Sequence, residues 1–331
     1  MKLETALCTQ HFERLNRYTA DTQRLLSASA ASVLVIRDGL IVNEWYNGTH
    51  ELSAQSRKVD AASRFNIASI RKTYLGFAVS LALHEGKIKS VDDPVQVYLD
   101  GLDEKVLAGT TIRHLLTHTH GLASPTQRLF PPGASWKYNN AGVNLLIDIV
   151  QRVYGLTFAE LIIQRVLQPC RFSETGWCKD NREQLVWLHD TYDGEQGREA
   201  NLFVTTRELG YWGWLHHTKG NIQGKQLLPP RVFEQISTVL TPPELDVALP
   251  RNGFFWWVKD DPCNRTELGE QLPKGSFQSI GLYGNILLVI PEYNAVAVRM
   301  LNQIERNPAG YHYPADIQTF GDQVVESIVS L

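Results

Sequence analysis

Strand-forming runs sit at the two ends of this chain and helical patterns fill its middle, and that distribution constrains the fold more than any other feature. Residues 32–36 and 40–46 are apolar, β-branched runs separated by Arg37-Asp38-Gly39, where the Asp-Gly pair supplies the positive φ angles of a tight hairpin. Near the other end, residues 254–258, 286–290 and 295–301 read as strands, the last two joined through Pro291-Glu292-Tyr293-Asn294. Between them, residues 69–84 place Leu75, Val79 and Leu83 at i, i+4 and i+8 beside Ala78 and Ala82, and Glu85-Gly86 closes the run. That helix is expected to be buried on much of its circumference. Residues 111–118, 140–154, 158–167 and 206–215 read as further helices, with Gly155 and Pro169 as stops. The order predicts an α+β fold whose sheet is assembled from both chain ends.

At 331 residues with 43% hydrophobic content, the chain can bury a sizeable core. Lys plus Arg total 32 against 35 Asp plus Glu, with no block of like charge, which excludes an electrostatic footprint for nucleic acid and points to a small-molecule partner. No window approaches a membrane-spanning apolar run, so no membrane partner is expected. The first residues, interrupted by His11, Glu13, Arg14 and Arg17, lack the apolar core of a secretory signal, and a cytoplasmic location is the expectation. Cys8, Cys170, Cys178 and Cys263 show no CxxC spacing and read as ordinary thiols. The oligomeric state has no signature in the sequence.

Chemistry enters with Ser69-Ile70-Arg71-Lys72, because a spacing of three sets a hydroxyl and an amine on one helical face. A serine hydroxyl needs a proton acceptor, and a lysine serves only when its amine is neutral, a state that burial favours. Ser69 near a helix N-terminus gains further from the local positive potential. Downstream, Tyr138-Asn139-Asn140 follows a Pro-Pro-Gly turn and offers a phenol and a carboxamide to complete a proton relay. The pattern suggests acyl transfer through a serine ester and needs neither metal nor organic cofactor.

With these motifs stand residues 65–72, 111–122, Pro132-Gly133 with Tyr138-Asn139-Asn140-Ala141-Gly142, and Gly281-Leu282-Tyr283-Gly284-Asn285. Together and in this order they resemble the serine β-lactamase and penicillin-binding-protein-like hydrolases over nearly the whole chain. The resemblance is to the branch of class C β-lactamases, DD-peptidases, serine esterases and 6-aminohexanoate-oligomer hydrolases. It implies a β-lactamase-like fold: an antiparallel sheet flanked by helices, formed by residues 1–86 and 218–331, an inserted all-helical domain at 87–217, and a cleft between them. It also implies Ser69 as acylated nucleophile, Lys72 as proton acceptor, Tyr138 serving the leaving group and then water, and Asn140 as an orienting amide. The oxyanion would be met by the amides of Ser69 and Leu282.

The third motif departs from the family. Relatives place Lys or His two residues before the glycine that Gly281 matches, whereas this chain has Ser279-Ile280-Gly281. Lys274 is read as a surface residue rather than a substitute. A substrate carboxylate left unpaired on burial costs several kcal/mol, roughly. A neutral ester or amide is therefore the expected substrate, with β-lactam hydrolysis weak or absent, and Ser279 is expected to donate to the tyrosine or the substrate. The alternatives are a β-lactamase or DD-peptidase-like enzyme and a catalytically silent ligand-binding module. By spacing, His114, His118 and His120 could form a metal set, but the resemblance implies that this stretch is a structural helix and turn. Most of Trp136, Trp212, Trp214, Trp256 and Trp257 are expected in the core, Tyr283 at the site, and Glu208 in the first turn of a helix.

Overall fold

A computed structural model describes residues 2–53, 55–101, 103–260 and 266–331. A seven-stranded sheet runs in the order Glu4–Thr5, Leu40–Gly48, Ala30–Arg37, Ala295–Leu301, Asn285–Ile290, Phe277–Gly281, Trp257–Val258, and only its first pair is parallel. The hairpin turn has Asp38 at φ 50° and Gly39 at φ 78°, as the Asp-Gly pair requires. Both chain ends feed one sheet because Ala295–Leu301 pairs with Ala30–Arg37 along its whole length, Arg37 opposite Ala295 and Ala31 opposite Leu301.

Alternation explains how the sheet is covered. Leu34, Ile36, Leu287, Val289, Val296 and Val298 point to one face and join a large core with the buried helix Lys72–His84 and with Thr206–His217. Val33, Val35, Ile286, Leu288 and Ala297 point to the other, where they meet Leu15, Ile317, Phe320, Val324 and Ile328. These last residues belong to two terminal helices, Glu13–Leu25 and Tyr313–Val329, that the sequence reading left out. Helix Thr206–His217, grouped by that reading with the helical segment, lies against the sheet, and both of its internal glycines admit sheet side chains there. A Cβ at Gly210 would fall 2.3 Å from Leu34, and one at Gly213 would fall 2.7 Å from Val296.

Two expected elements are shorter than their patterns. The strand at 254–258 reduces to Trp257–Val258, because Phe254, Phe255 and Trp256 are consecutively buried and Phe255 sits at φ 65°, which no strand accommodates. The helix at 111–118 is Ile112–Leu116, ending before His118 at φ 57°. Helix Asn140–Tyr154 has the expected bounds, with Asn139 as its N-cap and Gly155 left-handed at its end. Cys8, Cys170 and Cys178 are free thiols, and Cys263 lies outside the described residues. Among the described residues, no helix is long and apolar enough to cross a membrane.

Candidate active site

A second, four-stranded sheet delivers the nucleophile candidate. Its strand Arg64–Asn66 runs into a 3-10 turn, Ala68–Arg71, which continues as helix Lys72–His84. Ala68 takes a left-handed φ of 45°, and its amide donates to Asn66 Oδ1 at 2.8 Å. The bend turns Ser69 out of the strand direction at the start of the helix. That helix is fixed in place by close packing, since a Cβ on Gly76 would fall 2.5 Å from the Phe254 carbonyl oxygen.

Lys72 lies one turn on and is 4% exposed. Its Nζ is 2.8 Å from Ser69 Oγ and 2.6 Å from Tyr138 Oη, and the Tyr138 hydroxyl donates to Ser69 Oγ at 2.7 Å. The three groups thus close a triangle of hydrogen bonds. Tyr138 comes from the loop before helix Asn140–Tyr154, where Asn139 Oδ1 accepts from the Ala141 amide and the Lys137 amide donates to the His118 carbonyl. The ring of buried His118 lies 4.5 Å from the Tyr138 ring and supports it from beneath.

Burial decides the protonation states here. Loss of water drives the Lys72 ammonium well below its ordinary value of 10.5, and the neighbouring Arg71 charge pushes it the same way. Tyr138 is 42% exposed as a residue, but desolvation around its hydroxyl raises the phenol, while the hydrogen bond with Ser69 and the Arg71 charge oppose that rise. The two shifts favour a neutral amine beside a protonated phenol. Arg71 is itself buried, lowered to about 10 by desolvation, and donates to the carbonyls of Gly197 (3.4 Å) and Arg198 (3.2 Å). Nothing in the local spacing of Ser69-Ile70-Arg71-Lys72 marks Arg71 for this role.

On the opposite side stands the hairpin of Phe277–Gly281 and Asn285–Ile290. The pleat puts Phe277, Ser279 and Gly281 on one face, and a Cβ on Gly281 would fall 2.5 Å from the Ile67 carbonyl oxygen. Only glycine lets this strand press against the segment that carries Ser69. Ser279 is buried in the strand opposite Leu287, and Leu282 is 76% exposed at the turn. The amides of Ser69 and Leu282 donate to no protein acceptor among the described residues. Tyr283 Oη donates to Asp190 Oδ2 at 3.0 Å, as does Tyr192 Oη, and Asn66 Nδ2 donates to Tyr192 Oη at 2.8 Å. Desolvation and the Asp190 charge raise the Tyr283 phenol to about 12.

The Beta-lactamase family model matches residues 17–318. The chain belongs to the β-lactamase family. It is 39% identical to an uncharacterised protein of Alkalihalophilus pseudofirmus, with all of both chains covered. Esterase EstB of Burkholderia gladioli is 27% identical, over 51% of this chain and 51% of its own length. Among solved structures, the hydrolase EstCE1, described as having promiscuous acyltransferase activity, superposes with a TM-score of 0.74 at 17% identity, covering 95% of this chain and 98% of its own. This likeness shows that the fold is β-lactamase-like, and the family places the chain among the serine hydrolases.

The remaining candidates of this β-lactamase-family chain divide by burial. Asn140 opens its helix exposed, and its carboxamide has no hydrogen bond among the described residues. Trp212, Trp214 and Trp256 are core residues, while Trp136 and Trp257 pair at 5.2 Å, half-buried, next to His118. The three histidines serve separate ends: His114 Nδ1 accepts from the Thr111 amide, His118 underlies Tyr138, and His120 Nδ1 accepts from the Leu122 amide. Among the described residues no group of His, Cys, Asp or Glu could hold a metal ion. Glu208 lies in the first turn of its helix and accepts from the Glu174 amide and Thr175 Oγ1. Lys274 is exposed and paired with Asp260 at 2.9 Å.

Proposed function

We propose that this protein is a serine hydrolase of the esterase or amidase type that works through an acyl-enzyme at Ser69. The observation that carries the reading is the closed triangle of Ser69, buried Lys72 and Tyr138. In acylation, Ser69 Oγ attacks the substrate carbonyl carbon while its proton passes to the lone pair of the neutral Lys72 amine. The Tyr138 phenol gives its proton to the departing alkoxide or amine and takes one back from Lys72. Deacylation runs the relay in reverse: water gives a proton to Tyr138 as the phenol passes its own to the neutral Lys72 amine, the water oxygen bonds to the acyl carbon, and the ester C–O bond breaks as Lys72 returns that proton to Ser69 Oγ. The developing oxyanion is met by the amides of Ser69 and Leu282, which are otherwise unpaired in the described protein. Asn140, with its amide free, orients the substrate carbonyl side.

The substrate class follows from charge. Where relatives carry a cation, this chain has Ser279 buried in a strand, and Lys274 is engaged with Asp260 at the surface. A neutral ester or amide loses little on entering such a cleft, whereas a buried unpaired carboxylate costs several kcal/mol, roughly. Trp136, which packs on the His118 ring beside Tyr138, and Tyr283 at the turn after Leu282 offer aromatic surface suited to an apolar acyl or alcohol part. The test is a pre-steady-state burst with p-nitrophenyl esters together with a fluorophosphonate mass shift, both abolished by Ser69→Ala. A silent binding module gives neither signal. Rapid ring opening of a chromogenic cephalosporin, at rates matching the esters, refutes the substrate argument while leaving the nucleophile intact.

A further inference from the structure

The two amides assigned to the oxyanion belong to chain segments more than 200 residues apart, yet one fully buried carboxamide, that of Asn285, ties those segments together, and a second buried one, that of Asn66, braces the turn before Ser69. Asn285, which opens the strand after the Leu282 turn, donates from Nδ2 to the Asn66 carbonyl at 2.8 Å and accepts from the Leu301 amide on Oδ1 at 2.8 Å. Asn66, buried three residues before Ser69, in turn holds the Ala68 amide on Oδ1 at 2.8 Å, the residue whose left-handed φ directs Ser69 into the site. Each end of this chain of bonds lies within three residues of one oxyanion amide. Sterics close the gap from the other side, with Gly281 pressed on the Ile67 carbonyl and a Cβ on Gly284 excluded by Leu301 at 2.8 Å. Behind the turn, fully buried Arg299 donates from Nε to the Gly284 carbonyl at 3.0 Å while its other nitrogens hold Asp316 at 2.9 and 2.7 Å.

We propose that Asn285 is a positioning residue that, through Asn66, sets the separation of the Ser69 and Leu282 amides and thereby tunes oxyanion stabilisation. The inference rests on the reading of Ser69 as the acylated nucleophile and adds to it a determinant remote from the proton relay. A buried carboxamide that lost one partner would pull its neighbours out of register, because an unsatisfied group at such a site is costly. An oxyanion hole feels that shift directly, since displacement of reacting groups by about 1 Å costs on the order of 100-fold in rate.

The experiment compares Asn285→Asp with the parent. The variant keeps an oxygen for the Leu301 amide but turns an acceptor, in place of a donor, towards the Asn66 carbonyl. On p-nitrophenyl butyrate kcat is expected to fall on the order of 100-fold, with KM within about threefold. Inhibition by phenylboronic acid, which becomes tetrahedral on Ser69 Oγ and places an anionic oxygen in the hole, weakens in parallel. The pH limbs of kcat stay where they are, because Lys72 and Tyr138 are untouched. Asn285→Thr, which retains a polar oxygen and suits a strand, gives the same signature if the aspartate variant does not fold. A crystal structure of the parent–boronate adduct is independent of both variants: a boronate oxygen within hydrogen-bond reach of both amides supports the inference. A folded variant with kcat within twofold of the parent, or an adduct oxygen turned away from Leu282, overturns it alone. A parent with no Ser69-dependent turnover overturns the hydrolase reading and the brace with it.

Discussion

The two walls of the cleft are built on different principles. The Ser69 wall is a strand, a tight turn and a helix, contiguous in sequence, with every residue from Lys72 to Ala82 buried. The facing wall combines the exposed turn at Leu282 with the loop around Asp190 and Tyr192, and its contacts join residues 93 and 126 positions apart. Burial on the first wall sets protonation states, which is what bond-breaking needs. The second wall presents phenols, a carboxylate and aromatic rings at the rim, which is what choosing a substrate needs. On the proposed reading, reactivity is held on rigid elements and selectivity on a loop that they anchor.

Changes to the buried wall are expected to cost the most rate. Lys72→Met removes the proton acceptor while preserving volume, and kcat/KM for p-nitrophenyl esters is expected to fall about 10³-fold or more. Tyr138→Phe leaves Lys72 and Ser69 in contact but removes the route to the leaving group, with a loss of about 10²–10³-fold. The double variant is expected to lose little beyond the lysine variant, because members of one relay are not additive. Steady-state kinetics on the three proteins decide this. Near-normal turnover in either single variant would refute the relay.

The pH profile sharpens the same contrast. The Lys72 ammonium is lowered well below 10.5 by burial, and the amine must be neutral to accept the serine proton. On the proposed mechanism, activity is therefore expected to fall as pH drops through that lowered value and to be sustained above it, as a kcat–pH profile checks. At the alkaline end, loss of the Tyr138 proton ends turnover, and its raised value keeps that limb above the ordinary 10. The acid limb should vanish in Lys72→Met residual activity while the alkaline one persists. Because the unfolded chain binds a proton at Lys72 that the folded chain gives up, this residue also costs stability at neutral pH, a cost relieved as pH rises towards 10.5.

How much of this was legible depends on how local each contact is. Ser69 and Lys72 could be read because three residues of helix fix their proximity, and Asn139 and Gly155 mark the next helix because caps are local chemistry. Tyr138 stood out by its place after the Pro-Pro-Gly turn, but its pairing with Ser69 and Lys72 was specified only by the family resemblance. The triangle it closes spans 69 residues and depends on a loop held by His118 and Thr119 carbonyls. The terminal helix went unread although Ile317, Phe320, Val324 and Ile328 carry its periodicity. Arg71, Asn66 and Asn285 lie in the stretches that carry the resemblance but had no role legible there, and Asp190 had no signal, since an arginine under a loop or an asparagine between strands acquires its partners only when distant segments pack. The strand reading at 254–258 failed for the converse reason: three consecutive aromatic residues suit a strand locally, but here all three are drawn into one core.

The smallest expected effects belong to the facing wall, and they are the ones that test its role. Tyr283→Phe removes the donor to Asp190 without changing the ring, and Asp190→Asn keeps the shape of the acceptor while removing its charge. Neither touches the Ser69–Lys72–Tyr138 triangle, so kcat for a small acetate ester should change by less than about twofold. The loop remains tied by Asn66 to Tyr192 and by Arg71 to the Gly197 and Arg198 carbonyls, so it loses one of its tethers and not its place. What should shift is discrimination: KM for esters with bulky acyl or alcohol groups changes by about two- to fivefold relative to the acetate, since one neutral hydrogen bond at a partly exposed site contributes roughly 0.5–1.5 kcal/mol. A uniform fall in kcat across the ester series would instead mean that the tether reaches the chemistry. The division between a reactive wall and a selective one would then have to be abandoned for a single coupled site.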